Sequence, residues 1–125
     1  MPIDATSGYD HNNIFARILR GEIPTKTVYE DEHALAFHDI NPAAPVHILV
    51  IPKGRYVSWD DFSRNGSDQE ISGFVRAVGH VAREAGLAQP GYRLLANTGH
   101  DGGQEVPHPH VHILAGRRLG AMLSR

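Results

Sequence analysis

His108-Pro109-His110-Val111-His112-Ile113-Leu114 is the stretch on which the fold turns. Successive side chains of a strand point to opposite faces. In that conformation His108, His110 and His112 share one face, and Pro109, Val111 and Ile113 share the other. The apolar set can pack on a helix while the histidines face a cleft. Gly102-Gly103 lies just upstream, where bare backbone can approach a ligand. Pro109 lacks an amide donor, so regular pairing is expected to begin only at His110.

The rest of the chain supplies a domain around this strand. Further strands are expected at 26–30, 34–38, 47–51 and 92–96, with β-branched residues at the centre of the first and along the third, and turn residues between them. A helix is expected at 12–20, with N-cap oxygens at Asp10, Asn12 and Asn13 and a stop at Gly21. A longer one is expected at 68–85. Ser67-Asp68-Gln69-Glu70 is a capping box, and Ile71, Phe74, Val78, Val81 and Ala82 recur at helical spacing. Gly79 inside that helix costs roughly 1 kcal/mol against alanine, or lets something pack closely. The 53–65 stretch is polar and holds the only tryptophan, Trp59. Five hairpin-linked strands and two helices make an α+β domain with a mainly antiparallel sheet. Residues 1–9 are small and polar and are expected to be disordered. Residues 10–125 form the single domain.

Composition narrows the chemistry. The chain has 125 residues, enough for one domain with its own core. It has no cysteine, which excludes a disulfide framework, thiolate metal sites and a thiol nucleophile. Twelve basic against 14 acidic residues, with no basic run, argue against a nucleic-acid partner. No apolar stretch is long enough to span a bilayer, and no secretory leader is visible, so a soluble cytoplasmic protein is expected. Against this plain background, nine histidines stand out.

Three readings of the histidine strand compete. The residues can be a solvated face with no function. They can be a two-ligand metal arm, since His-x-His on a strand suits zinc. His108 and His112 are roughly 13 Å apart at strand rise, so one ion would take two of the three plus His47, Glu105 or Asp39. Or a neutral imidazole attacks phosphorus, a second histidine handles a phosphate oxygen or a leaving-group proton, and the local amides stabilise charge.

The string is His-apolar-His-apolar-His-apolar-apolar, and it does not stand alone. Ile14-Phe15, Ile18, Glu22-Ile23-Pro24, Ala36-Phe37-His38-Asp39-Ile40, Pro42, Ala44-Pro45-x-His47, Ile51-Pro52-Lys53, Asn97, Gly102-Gly103-Gln104 and Gly116-Arg117 accompany it. Over roughly residues 10–120 the chain resembles the nucleotide-binding Hint branch of the histidine triad superfamily. That resemblance implies a histidine-triad fold that dimerises into one continuous sheet. It implies hydrolysis of purine nucleoside phosphoramidates and aminoacyl-adenylate-like substrates, releasing AMP or GMP, with no metal and no cofactor. By the same likeness His110 would carry the nucleotidyl group and His112 would contact phosphate and assist proton transfer. His108 and His47 would orient their neighbours. Asp39 would hold the ribose. Ile40, Phe37, Ile14, Phe15, Ile18 and Ile23 would wall the base pocket, though on helical spacing alone several of these are core residues. Asn97, Gly103, Gln104 and Glu105 would line the phosphate region.

Glu105 departs from relatives that carry serine there. An ionised carboxylate cannot donate to phosphate, and it favours cationic leaving amines. The implied partners are the nucleotide substrate, a second copy of the chain, and an aminoacyl-tRNA synthetase as a source of adenylate. Dinucleoside polyphosphate hydrolysis, nucleotidyl transfer, and a nucleotide-binding module with incidental turnover are the alternatives.

Overall fold

The computed structural model describes residues 3–123. Five strands form one antiparallel sheet: β1 (Thr27–Glu30), β2 (Ala34–His38), β3 (Val46–Pro52), β4 (Arg93–Leu95) and β5 (Val111–Ala115). Their order is β1-β2-β3-β5-β4. The histidine strand β5 is therefore interior, flanked by β3 and β4. It pairs from Val111, one residue later than expected. Pro107 and Pro109 cannot donate to a ladder, and His108 turns its own amide back to the Val106 carbonyl at 2.8 Å.

Helices cover both faces. Alternation on β3 sends Ile48 and Val50 to one side, where Val111, Ile113 and the long helix α3 (Asp68–Glu84) complete the larger core. Phe74 and Val81 anchor that helix, each 1% exposed. Burying a side chain of that kind contributes about 1.5–3 kcal/mol. The opposite set, Leu49 and Ile51, packs with Leu35, Phe37, Phe15 and Ile18 beneath the short helix α1 (Ile14–Leu19). His47 and His112 lie on this α1 side, because His47 shares the parity of Leu49 on β3 and His112 sits opposite Leu49.

Both expected helices are present with their caps. Asn13 accepts from the Ala16 amide, and the Ser67–Glu70 capping box is complete. Two helices were not anticipated. α2 (Trp59–Asn65) lies in the polar stretch, and its signal is local: Ser58 accepts from the Asp61 amide, acidic residues fill the first turn, and Phe62 packs 5.4 Å from Phe74. α4 (Gly99–Gly102) is a single turn closed by Gly103 at φ 73°. The close approach in α3 falls at Gly73, where a Cβ would lie 2.3 Å from the His33 ring; at Gly79 a Cβ would meet only the tip of Arg83, at 3.1 Å. Gly79→Ala is accordingly expected to stabilise the protein by about 0.5–1 kcal/mol, read as a higher urea midpoint.

The N-terminal segment, expected to be disordered, has defined partners. Ser58 donates to the Ala5 carbonyl at 2.8 Å, and the Tyr9 hydroxyl lies 2.8 Å from His108 Nδ1. Residues 1–2 fall outside the described range. Among the described residues, no helix is long and apolar enough to cross a membrane.

Candidate active site

The histidines hold a single pattern of protons, and their partners assign it. The Ala43 amide donates to His47 Nδ1 at 3.0 Å. His47 therefore carries its proton on Nε2. That nitrogen lies 2.8 Å from His112 Nδ1, which accepts it, and 3.4 Å from Asp39 Oδ2. A neutral His112 then has its own proton on Nε2. His110 Nδ1 donates to the His108 carbonyl at 2.8 Å, which leaves a lone pair on Nε2. His108 Nε2 donates to the Pro52 carbonyl at 2.8 Å, and His108 Nδ1 accepts from Tyr9. The result is one imidazole with a free lone pair beside another with a free N–H, ring centroids 5.2 Å apart.

Burial favours these neutral forms. It pushes His108 and His112 down to about 4, with neighbouring histidines adding to the effect. His110 is also lowered by burial, offset by its bond to the His108 carbonyl and by the Glu105 and Asp39 carboxylates.

His110 and His112 open onto a cavity of about 270 Å³. Ile14, Phe15, Ile18, Ile23, Phe37, Asp39, Ile40 and Glu105 line it, as do Lys26, His38 and Val106. Phe15, Ile18 and Phe37 thus serve as core and wall together, since the smaller core forms the cavity floor. Ile40 stands at the rim, 90% exposed. Asp39 splits its work: Oδ1 accepts from the Asn41 amide at 2.8 Å and fixes the turn, while Oδ2 faces His47.

The same residues test a metal. Asp39, His47 and His112 offer three ligand atoms within 4.8 Å of one another. Ligation through His47 Nε2 would need its proton on Nδ1, where the Ala43 N–H already points. Two donors would then face each other, so the cluster does not suit an ion.

A family model described as HIT domain matches residues 20–119. The chain belongs to the HIT domain family. A HIT-like protein of Azospirillum brasilense is 68% identical over 117 residues, covering 94% of this chain and 96% of its own. A protein of Escherichia coli K12 named purine nucleoside phosphoramidase is 44% identical over 111 residues, covering 89% and 92%. Among solved structures, a histidine triad protein from Clostridium difficile superposes with a TM-score of 0.80 at 45% identity, covering 91% of this chain and 98% of that one.

Within this HIT protein the expected site residues divide. Ten of them line the cavity; His108, His47, Asn97, Gly103 and Gln104 do not. His108 was expected to share the cleft face with its neighbours. Instead it is wholly buried, because the chain turns there and β5 has not yet begun. Its carbonyl, not its ring, touches His110. The Gln104 side chain is fully engaged within the protein. Its Oε1 accepts from the Gly99 amide at 2.9 Å, and its Nε2 donates to the Val57 and Val106 carbonyls at 2.7 and 2.9 Å. It therefore builds the loop and has no donor left for a ligand. Gly103 closes α4 in that loop, and Asn97 precedes it. Lys26, His38 and Tyr9 are additional: Lys26 and His38 come to the cavity through the β1–β2 hairpin, and Tyr9 reaches His108 from a segment with no periodic pattern.

Acid should loosen this arrangement. His108 titrates near 4 when folded, against 6.5 when exposed. Its folded value is depressed, so its contribution is complete above about pH 6.5 and lost as pH falls toward 4. A depression of that size corresponds to a few kcal/mol. The urea midpoint is expected to fall between pH 7 and pH 4.5, and a flat profile would contradict the assigned proton pattern.

Proposed function

We propose that the protein hydrolyses purine nucleoside 5′-phosphoramidates and aminoacyl-adenylate-like substrates through a nucleotidyl group on His110. One observation carries this reading: the His108 carbonyl fixes the His110 proton on Nδ1, so the Nε2 lone pair is left free on a residue that lines a largely apolar cavity. The relative named purine nucleoside phosphoramidase supports the substrate class.

The chemistry follows from the proton pattern. The apolar walls take the base, and Asp39 accepts from ribose hydroxyls. His110 Nε2 bonds to phosphorus as the P–N bond breaks. His112 Nε2–H donates to a phosphoryl oxygen. Bound phosphate also raises the affinity of His112 for a proton, reversing the effect of burial. The proton that His112 takes up lands on Nδ1, the His47 Nε2–H turns to Asp39 Oδ2, 3.4 Å away, and His112 passes its Nε2–H to the departing amine. Water then attacks phosphorus, His112 takes a proton from it, and the bond to His110 breaks to release the nucleoside monophosphate. A cavity of about 270 Å³ is at the small end of ligand sites, which begin near 300 Å³. That suits one nucleoside better than the second half of a dinucleoside polyphosphate.

Glu105 would set the leaving group. It is exposed at the cavity lining, and its charge reaches His110. Glu105→Ser is expected to lower the preference for a lysyl-type over a neutral-amine phosphoramidate about fivefold, or ~1 kcal/mol at a wet surface. An unchanged ratio would remove Glu105 from specificity.

We also propose a homodimer through the β4 edge. Leu94 and Leu95 are 49% and 37% exposed there, and Val75 on α3 is 56% exposed. Pairing two such edges would continue the sheet and cover these side chains. An aminoacyl-tRNA synthetase would be an adenylate source within this reading. The test is AMP release from adenosine phosphoramidate, without added metal and again in a chelator, with diadenosine polyphosphate as the competing substrate. Loss of turnover in the chelator, or faster cleavage of the polyphosphate, would overturn the reading.

A further inference from the structure

The first segment of the chain lies outside the family match, which begins at residue 20, yet it reaches the centre of the site. Asp4 folds a local turn by accepting from the Thr6 amide and hydroxyl at 2.9 and 2.7 Å. Ser58, itself fully buried, donates to the Ala5 carbonyl and pins the segment over α2. Four residues on, the Tyr9 ring meets the His108 ring edge-on at 5.7 Å, and its hydroxyl reaches His108 Nδ1 at 2.8 Å.

His108 is held at both ring nitrogens. Its Nε2–H is committed to the Pro52 carbonyl, so Nδ1 is an acceptor and Tyr9 supplies the only donor to it among the described residues. The backbone carbonyl of the same residue accepts from His110 Nδ1. A continuous path therefore runs from the Tyr9 hydroxyl, through a buried imidazole and one carbonyl, to the nitrogen opposite the free lone pair.

We propose that Tyr9 is a positioning residue for the His110 nucleophile: its hydroxyl locks the His108 ring, and the locked residue aims the carbonyl that fixes the His110 tautomer. The role rests on the reading of His110 as the attacking group. Tyr9 does not line the cavity. Its loss should therefore affect the chemical step and spare binding.

Tyr9→Phe tests this, because it keeps the ring and removes only the donor. With adenosine phosphoramidate, kcat is expected to fall about 10-fold, since slight misplacement of a reacting group costs up to about 100-fold. KM and the Kd for AMP should stay within about twofold. Asp4→Ala loosens the segment without touching His108, and it should leave kcat near the wild-type value. Wild-type kcat in Tyr9→Phe overturns the proposal. So does an equal loss of kcat in Asp4→Ala, which would make the segment merely structural. Should the wild-type protein prove inactive toward phosphoramidates, 15N spectra of the histidines still decide. The His110 ring should hold a single Nδ1–H tautomer in the wild type and become a tautomer mixture in Tyr9→Phe; an unchanged His110 signal sinks the idea.

Discussion

His110→Ala should lower kcat/KM for adenosine phosphoramidate by at least about 10⁴-fold, because removing a nucleophile abolishes the covalent route. The fold should survive it. His110 is 6% exposed and packs edge-on against Phe15 with ring centroids 5.0 Å apart, so truncation opens a small cavity under the site and costs about 2–4 kcal/mol. AMP binding should fall much less than turnover, since Ile14, Phe37 and Asp39 are untouched. Wild-type turnover in this variant would overturn the mechanism. The wild-type pH profile carries a related expectation. Burial lowers His110, so the lone pair should remain available below the ordinary imidazole range, and the acid limb of kcat/KM should lie below pH 6.5.

His112→Ala should lower kcat by about 10²–10³-fold, the range for a lost acid–base group. Under the proposed function it deletes the N–H that meets a phosphoryl oxygen and then passes a proton to the amine. It also frees His47, whose Nε2–H loses its acceptor at 2.8 Å and retains only Asp39 at 3.4 Å. With no other acceptor, the His47 N–H should pull Asp39 toward it and away from the ribose, so KM should rise as well. The combined signature, a fall in kcat with a rise in KM, distinguishes His112 from His110. A rise in KM alone, with kcat preserved, would contradict a role in proton transfer.

Much of this was legible because it follows from short-range rules. Alternation placed Val111 and Ile113 in the core and His112 opposite them. The capping box located the start of α3 at Asp68, and turn residues bounded each strand to within a residue or two. What escaped has a common physical cause. α2 is nucleated by Ser58, Asp61 and a single buried aromatic, too few positions to show a period. His108 broke the alternation because two prolines keep the chain irregular until Val111, so strand parity no longer sets its direction. Gln104 reads as a ligand by its neighbours in sequence, but three carbonyl and amide partners from the surrounding loops consume its side chain. Tyr9 is joined to His108 across 99 residues by one hydrogen bond, and no local pattern announces a contact of that kind.

The cavity walls show the opposite case. Helical spacing could not divide Phe15, Ile18 and Ile23 between core and ligand pocket. The division does not exist: the smaller core under α1 ends at the cavity, so the same side chains hold the helix and present the apolar floor. Under the proposed function, such a floor would fix the base while the phosphate meets the two histidines.

The central claim is a covalent bond between His110 Nε2 and phosphorus. It is tested most directly by mixing the protein with excess adenosine phosphoramidate, quenching within a single turnover and locating the bound nucleotide by peptide mass spectrometry. The expected result is one adenylylated peptide modified at His110, absent from His110→Ala. Adenylylation at His112, or AMP released during that first turnover with no modified histidine, would contradict it.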